Sequence, residues 1–397
     1  MKICFILPNC LPVPAVKGGA IETLVELVIA ENEKQSKLDI TCVSIYDKEA
    51  VKKSAVYKKT KFIFVTTKLL GCIPVKEVKE KNVFTRFLDK RGYNSCKIYD
   101  RIVYERIKNT DFDYLIFEGG DLLRYCNLTA IPGPIKLARI LCPYVADERY
   151  RIFDKFLATS DFMGNYFYNE TIDRDKVITW YNGVDISCFD KKISLEEHVS
   201  LKKKSGIPLD NKVLIFCGRL MPEKGIKELI YSFKKVLTTH PNTTLLIVGN
   251  ANFKEQIKTE YDEELREVAK GILDKVIFTG FVDNNELYKY YQIADISVIP
   301  SQWEEAFCLV ATEAMASGLP LVCSNSGALP EITTPQNAII VKRGPSFVDD
   351  YAEKLNYLLE NPTIAKNMGK SGIQQAKQFS SQRYYSRLLE ILTMQQF

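Results

Sequence analysis

KVLIFCGRLMPEKGIKELIYSFKKVLTTHPNTTLLIVGN, residues 212–250, decides the fold. It opens with an unbroken apolar run, turns at Gly218, continues as an amphipathic stretch from Gly225 to His240, and closes on a second apolar run ending in Gly249. A continuous apolar run marks a strand buried on both faces. Strand, helix, strand in that order marks a parallel pair joined by a crossover helix. The same alternation extends outward. KVIFTG (275–280), ELYKYYQIA (286–294), DISVIPS (295–301), CLVATEAMASG (308–318) and PLVCSN (320–325) follow it. KICFILP (2–8), ETLVELVIAENEK (22–34), DITCVSIY (39–46), KFIFVTT (61–67) and DYLIFEGG (113–120) repeat it in the first half. The expected fold class is α/β, with two doubly wound Rossmann-like domains facing each other across a cleft.

A chain of 397 residues is too long for one ordinary core. The seam is expected near 185–205, where Asn182-Gly183 signals a turn and a charged segment without a core of its own follows. This gives domains of 1–185 and 186–379, with a final helix at about 380–397 packing back on the first domain.

A hydrophobic fraction of 46% and a charged fraction of 26% are those of a soluble globular chain. No run of eighteen apolar residues predicts a membrane span. MKICFILPNCLP reads as a buried first strand rather than a signal peptide. The eleven cysteines form no Cys-x-x-Cys, and His198 and His240 are the only histidines. A disulfide framework and a zinc site are therefore not expected, and a reducing cytoplasm fits. Cys4, Cys42, Cys217 and Cys323 sit in strand-like runs as small core residues.

The net charge of +5 conceals an asymmetry. Residues 51–108 carry twelve Lys and four Arg against five acids, so the remainder of the chain is acidic. Within this region Ile98, Tyr99, Ile102, Val103 and Ile107 recur at helical spacing, with Lys97, Arg101, Arg106 and Lys108 between them. Val83, Phe84, Phe87 and Leu88 form a second apolar patch beside Lys81, Arg86, Lys90 and Arg91. Two ordinary helices packed on their own sheet would look like this. So would a surface that docks on an anionic membrane. Nucleic acid is not expected, because no recognition motif accompanies the charge.

Three stretches suggest chemistry. In LIFCGRLMPEKGI (214–226) a buried strand runs into Gly218, and Arg219 and Lys224 project from the loop, as a diphosphate site requires. In PSQWEEAFCLVATEAMASG (300–318) a helix is expected to start near Phe307, and its first amides make an anion site. Glu305 precedes that helix. Glu313 lies two turns on, among Val310, Ala311, Ala314 and Met315, where a carboxylate can accept paired hydrogen bonds from sugar hydroxyls. In PVPAVKGGAIETL (12–24) Gly18-Gly19 precedes a helix and allows backbone to approach a phosphate, although no Gly-x-Gly-x-x-Gly occurs. Each has an ordinary alternative: a solvated loop, surface helix acids, a plain turn.

Taken together, Gly-Gly after the first strand, YNGVD (181–185), GRLMPEKG (218–225), FTGFV (278–282), ADISVIPS (294–301), the E-x7-E of Glu305 and Glu313, GALPEI (327–332) and FSSQRYYSRLLEIL (379–392) resemble the retaining glycosyltransferase family 4, of the GT-B fold. The resemblance spans nearly the whole chain and is strongest from 180 to 332. It implies that Arg219 and Lys224 hold a donor diphosphate and that Glu305 binds hydroxyls of the transferred sugar. It puts the amides of Phe307, Cys308 and Leu309 toward sugar and phosphate, with Val310 following them, and Glu313 on the ribose hydroxyls. It puts Phe281 and Val282 at the base, Gly218 in the donor loop, and Gly19, beside Gly18, against the phosphate from the first domain. The donor implied is a nucleotide-diphosphate sugar, by family frequency a UDP-sugar. The acceptor implied is a saccharide, commonly lipid-linked, in surface polysaccharide biosynthesis, with the enzyme cytoplasmic and peripheral on the membrane.

The family's mechanism retains anomeric configuration without a protein nucleophile or a metal, so no cofactor is expected. Many members place a His on the acceptor side of the first domain. IKLARILCPYVADERY (135–150) stands there without one, which leaves Glu118, Asp121 and Arg139 as the polar candidates. Three rivals compete with this reading. A metal-dependent transferase would use Asp-x-Asp, spelled at 111–113 and 173–175. A sugar-nucleotide epimerase would share the fold but needs more acid–base groups. A non-catalytic paralogue would be expected to lose Glu305 or Lys224, and both are present.

Overall fold

The computed structural model describes residues 1–66, 95–119, 122–143, 146–168, 172–250 and 259–394. The chain divides into two compact units, Met1–Trp180 and Tyr181–Phe397.

In the first unit the strands are β1 (Lys2–Ile6), β2 (Asp39–Ile45), β3 (Thr60–Val65), β4 (Tyr114–Phe117), β5 (Ile135–Ile140), β6 (Lys155–Ala158) and β7 (Val177–Thr179). Among the described residues they form one parallel sheet in the order β3-β2-β1-β4-β5-β6-β7. Helix Ala20–Gln35 buries Leu24, Val25, Val28 and Ile29, one face of a 3.6-residue period. Each such side chain contributes about 1.5–3 kcal/mol by leaving water.

In the second unit β8 (Lys212–Cys217), β9 (Thr243–Val248), β10 (Val276–Gly280), β11 (Ile296–Ile299), β12 (Leu321–Ser324) and β13 (Ala338–Val341) follow. Among the described residues they form a second parallel sheet in the order β10-β9-β8-β11-β12-β13. Alternation along β8 serves both of its faces. Val213, Ile215 and Cys217 join a core with Ala311, Ala314 and Met315 of helix Leu309–Ala316. Leu214 and Phe216 join a second core with Leu229, Ile230 and Phe233 of helix Ile226–Thr239 and with Tyr351 and Leu355 of helix Phe347–Glu360. Truncating Phe233 to Ala would cost about 3–5 kcal/mol, because the sheet beneath it cannot collapse into the space.

In each sheet the chain reverses direction beside its first strand. It passes from β3 across β1 to β4, and from β10 across β8 to β11. At such switch points the loops leave the carboxyl ends of neighbouring strands in opposite directions and open a crevice. One is bounded by the chain after β1 and after β4, the other by the chain after β8 and after β11.

Among the described residues no helix is long and apolar enough to cross a membrane. In helix Ser95–Ile107, Tyr99, Val103 and Ile107 are buried in the unit's interior while Arg101 and Arg106 are exposed. This apolar stripe is thus spent on the unit's own core. Lys81, Val83, Phe84, Arg86, Phe87, Leu88, Lys90 and Arg91, and the side chain of Lys97, lie outside the described residues.

Candidate functional site

The crevice of the second unit holds most of the residues the motifs single out. β8 ends at Cys217, and Gly218, Arg219 and Lys224 follow. β11 ends at Ile299, and Pro300 to Cys308 follow. The two loops touch. Gly225 has φ +69°, and a Cβ there would come within 2.0 Å of the Pro300 carbonyl oxygen, so only glycine fits this crossing. The Gln302 amide donates to the Glu223 carbonyl at 2.8 Å across the same gap.

That contact fixes the central pair. Lys224 Nζ lies 2.7 Å from Glu305 Oε1, and Ser301 Oγ donates to the same oxygen at 2.5 Å. Lys224 Nζ also stands 5.7 Å from the centroid of the Trp303 ring. The Glu305 side chain is only 8% exposed. Its backbone is held too: its amide donates to Ser326 Oγ at 3.2 Å, and its carbonyl accepts from the Ala328 amide at 2.8 Å. Arg343 locks the flanking loop through the Glu304 carboxylate and the carbonyls of Gln302 and Asn325. A buried ion pair adds little net stability, but removing one partner strands the other charge. Such a pair is suited to holding two charged groups ready for a ligand. Arg219 stands exposed at the same edge, without an ion-pair partner among the described residues.

The helix after this loop starts at Leu309, two residues later than the sequence pattern suggests. Phe307 is 2% exposed and packs edge-on against Phe379, centroids 5.4 Å apart. Cys308 then adopts φ 77°, ψ 78°, a left-handed conformation that cannot continue a helix. A side chain other than glycine rarely occupies that region, and the cost is of order 1–3 kcal/mol. The consequence is a free helix start at Leu309 and Val310, beside the Lys224–Glu305 pair in the chain's course.

Glu313 lies one helical turn beyond Leu309. Burial pushes its carboxyl up to about 7, and the hydrogen bond from Tyr291 partly offsets this. Tyr291 Oη donates to Glu313 Oε2 at 3.2 Å. Phe281 and Val282 follow β10, half-buried, with Val282 packed against the core.

In the first unit Gly18 and Gly19 follow β1 at φ 76° and 102°. A Cβ on Gly19 would sit 2.1 Å from Glu22 Oε2. Glu118 follows β4, continuing the ladder through its amide to the Ile6 carbonyl at 3.0 Å. Its side chain is 2% exposed and its Oε1 has no hydrogen-bond partner. Burial pushes its carboxyl up to about 7, against the pull of the Arg139 charge and with the help of Glu22. Arg139 is fully buried, its guanidinium 3.9 Å from the centroid of the Trp180 ring. Asp121 lies outside the described residues.

The two Asp-x-Asp spellings sit elsewhere. Asp113 and Asp175 both precede the amino ends of strands, β4 and β7, opposite to the edge that carries the crevices. Among the described residues no cluster of three His, Cys, Asp or Glu is placed to hold a metal.

Ser301, Trp303 and Tyr291 escaped the sequence reading. Ser301 lies four residues before Glu305 in the loop after β11, a spacing that could have drawn attention to it. Tyr291 reads as one more aromatic residue on a core-facing helix.

Comparison with known proteins finds similarity to group 1 glycosyltransferases. Residues 199–375 match the model of "Glycosyl transferases group 1". The chain is 25% identical to "Spore coat protein SA" of Bacillus subtilis, over 98% of this chain and 99% of that one. It is 34% identical to "Lipopolysaccharide 1,2-N-acetylglucosaminetransferase" of Salmonella typhimurium, over 45% of each chain. The crystal structure of Anabaena Alr3699/HepE in complex with UDP-glucose superposes with a TM-score of 0.74 at 19% identity, covering 99% of this chain and 100% of that one. The two parallel-sheet halves match GT-B glycosyltransferase structures.

Proposed function

We propose, proceeding from the group 1 glycosyltransferase match, that this chain transfers a hexose-type sugar from a nucleotide-diphosphate sugar to a saccharide acceptor, with retention of anomeric configuration. The observation that carries this reading is the Lys224–Glu305 pair at the β8/β11 crevice, followed by a free helix start. A cation beside a carboxylate at a helix amino terminus suits a ligand with a diphosphate at one end and hydroxyls at the other.

In this reading Arg219, Lys224 and the amides at Leu309 and Val310 hold the diphosphate, Glu305 the sugar hydroxyls, and Glu313 the ribose. The bond from the anomeric carbon to the phosphate oxygen breaks as the acceptor oxygen bonds that carbon on the same face. The departing phosphate oxygen takes the acceptor's proton. Charge developing on the diphosphate is stabilised by fixed cations and amides, so neither Glu acts as a glycosidase-type acid or nucleophile. The second unit takes the donor, and the first takes the acceptor near Glu118 and Arg139. Since the related solved structure contains UDP-glucose, UDP is the first carrier to try. A lipid-linked acceptor and a peripheral membrane station, through the basic region 51–108, complete the proposal.

The test is a donor panel. The protein is incubated with UDP-, GDP- and dTDP-sugars and nucleotide release is followed. The anomeric configuration of the released or transferred sugar is read by NMR before it equilibrates. Release from one carrier with retained configuration supports the reading, and inversion rejects the retaining mechanism.

A further inference from the structure

Behind Glu313 stands a side chain that the reading above leaves without a role. Tyr291 is 1% exposed, in helix Asn284–Gln292. Its ring packs edge-on against Phe189 at 5.9 Å, and its Oη donates to Glu313 Oε2 at 3.2 Å. On its other side stands the buried thiol of Cys217, the last residue of β8, in the same core cluster.

The arrangement splits the carboxylate. Oε2 is held by a buried donor, while Glu313 itself is only half-buried. Burial raises the Glu313 carboxyl and the Tyr291 hydrogen bond opposes that rise. The titratable groups facing it from the neighbouring elements are Tyr291, Cys217, Cys188 of helix Ile186–Phe189, and Cys308 at the helix start. All three thiols, like the phenol, are pushed up by burial. They stay neutral around pH 7, so Tyr291 is the one of these groups that donates to the ionised carboxylate.

We propose that Tyr291 is a positioning residue for the nucleotide site. It favours the ionised form of Glu313 and turns the carboxylate so that its other oxygen meets the ribose hydroxyls of the donor. This rests on the reading of Glu313 as the ribose carboxylate. It extends that reading to the buried donor that holds the ribose carboxylate in place.

The experiment titrates UDP and 2′-deoxy-UDP, and GDP and 2′-deoxy-GDP in parallel, into wild type, Glu313→Gln and Tyr291→Phe by calorimetry from pH 5.5 to 8.5. The phenylalanine keeps the ring contact with Phe189. In wild type the affinity for the ribonucleotide rises with pH as Glu313 ionises, and it exceeds the affinity for the 2′-deoxy form by about tenfold, the value of a hydrogen bond to a charged group. In Tyr291→Phe the ribonucleotide binds about tenfold more weakly at pH 7, the preference over the deoxy form shrinks toward one, and the rise with pH moves to higher pH. If Tyr291→Phe folds poorly, the calorimetric stoichiometry reports the folded fraction, and the preference between the two nucleotides within that one variant does not depend on it.

A Tyr291→Phe protein with the wild-type ribose preference and pH profile overturns the proposal. So does one that loses affinity for ribo- and deoxynucleotides alike, which would mark a packing role only. If Glu313→Gln binds like wild type, the ribose reading of Glu313 fails and this inference with it. If Glu313→Gln loses the preference and Tyr291→Phe keeps it, the ribose reading stands and this inference alone fails.

Discussion

Lys224 and Glu305 come from loops that follow different strands, eighty-one residues apart, and meet at 2.7 Å because a glycine lets one loop press on the other's carbonyl. The pair ties the loop after β8 to the loop after β11, so the same contact that stabilises the crevice presents its charges. Replacing Lys224 by Ala would therefore do two things. It would remove a cation from the proposed diphosphate site, and it would leave a buried carboxylate held by Ser301 alone.

Arg219 separates those effects. It is exposed and has no ion-pair partner among the described residues, so Arg219→Ala should leave thermal stability within about 0.5 kcal/mol of wild type. Donor turnover should nevertheless fall roughly ten- to a hundredfold, the value of one charge-assisted bond of about 1.5–3 kcal/mol. Steady-state kinetics beside a melting curve check this. Turnover within twofold of wild type would remove Arg219 from the site.

Glu305→Gln keeps the shape of the side chain and the hydrogen bond from Ser301. It should bind the free nucleotide diphosphate as wild type does, because the carboxylate is assigned to the sugar. Use of the full donor should fall at least tenfold, about 1.4 kcal/mol. Calorimetry with the diphosphate and kinetics with the donor give the two readings. A mutant that loses the diphosphate and keeps donor turnover would reverse the assignment.

Glu118 makes stability depend on pH. Its carboxyl titrates near 7 in the folded chain, against an ordinary value of 4.5, chiefly because burial disfavours the charge. Between these values the folded state holds a proton that the unfolded state has lost. Stability from this group is thus complete below pH 4.5 and drains away as pH rises through 7. Glu118→Gln, which cannot ionise, should flatten the loss between pH 5 and 8 by on the order of 2 kcal/mol. Denaturant titrations at a series of pH values check it. An unchanged slope would mean that Glu118 is ionised in the folded protein.

The basic region bears on location. The protein should sediment with vesicles containing anionic lipid and be released by salt, since each cation near an acidic leaflet contributes about 1 kcal/mol. Arg101 and Arg106, exposed on helix Ser95–Ile107, and Lys81, Arg86, Lys90 and Arg91 can be replaced by Glu. Binding should be lost and donor hydrolysis kept. Equal partition onto neutral and anionic vesicles, or none onto either, would reject a membrane station.

Much of this architecture is legible in the sequence for a physical reason. Parallel strands buried on both faces must be continuously apolar, so β1, β8 and β9 stand out from the amphipathic runs between them. Glu305 and Glu313 stand out because acids are costly in such surroundings. The helix start was misplaced because nothing in the residue type announces a cysteine in a left-handed conformation; tertiary packing of Phe307 imposes it. Tyr291 was invisible for the opposite reason. On an amphipathic helix an aromatic residue is the ordinary core choice, and only the folded chain turns its hydroxyl to a carboxylate.

The most direct measurement is the rate of nucleotide release from the preferred sugar nucleotide in excess EDTA, for wild type and for Glu305→Gln. In the proposed site the diphosphate is held by Arg219, Lys224 and the helix start at Leu309, not by a bound metal. Wild type should keep its rate in EDTA, and Glu305→Gln should be at least tenfold slower under the same conditions. A wild-type rate abolished by EDTA and restored by Mn²⁺, or no release from any nucleotide sugar, would contradict it.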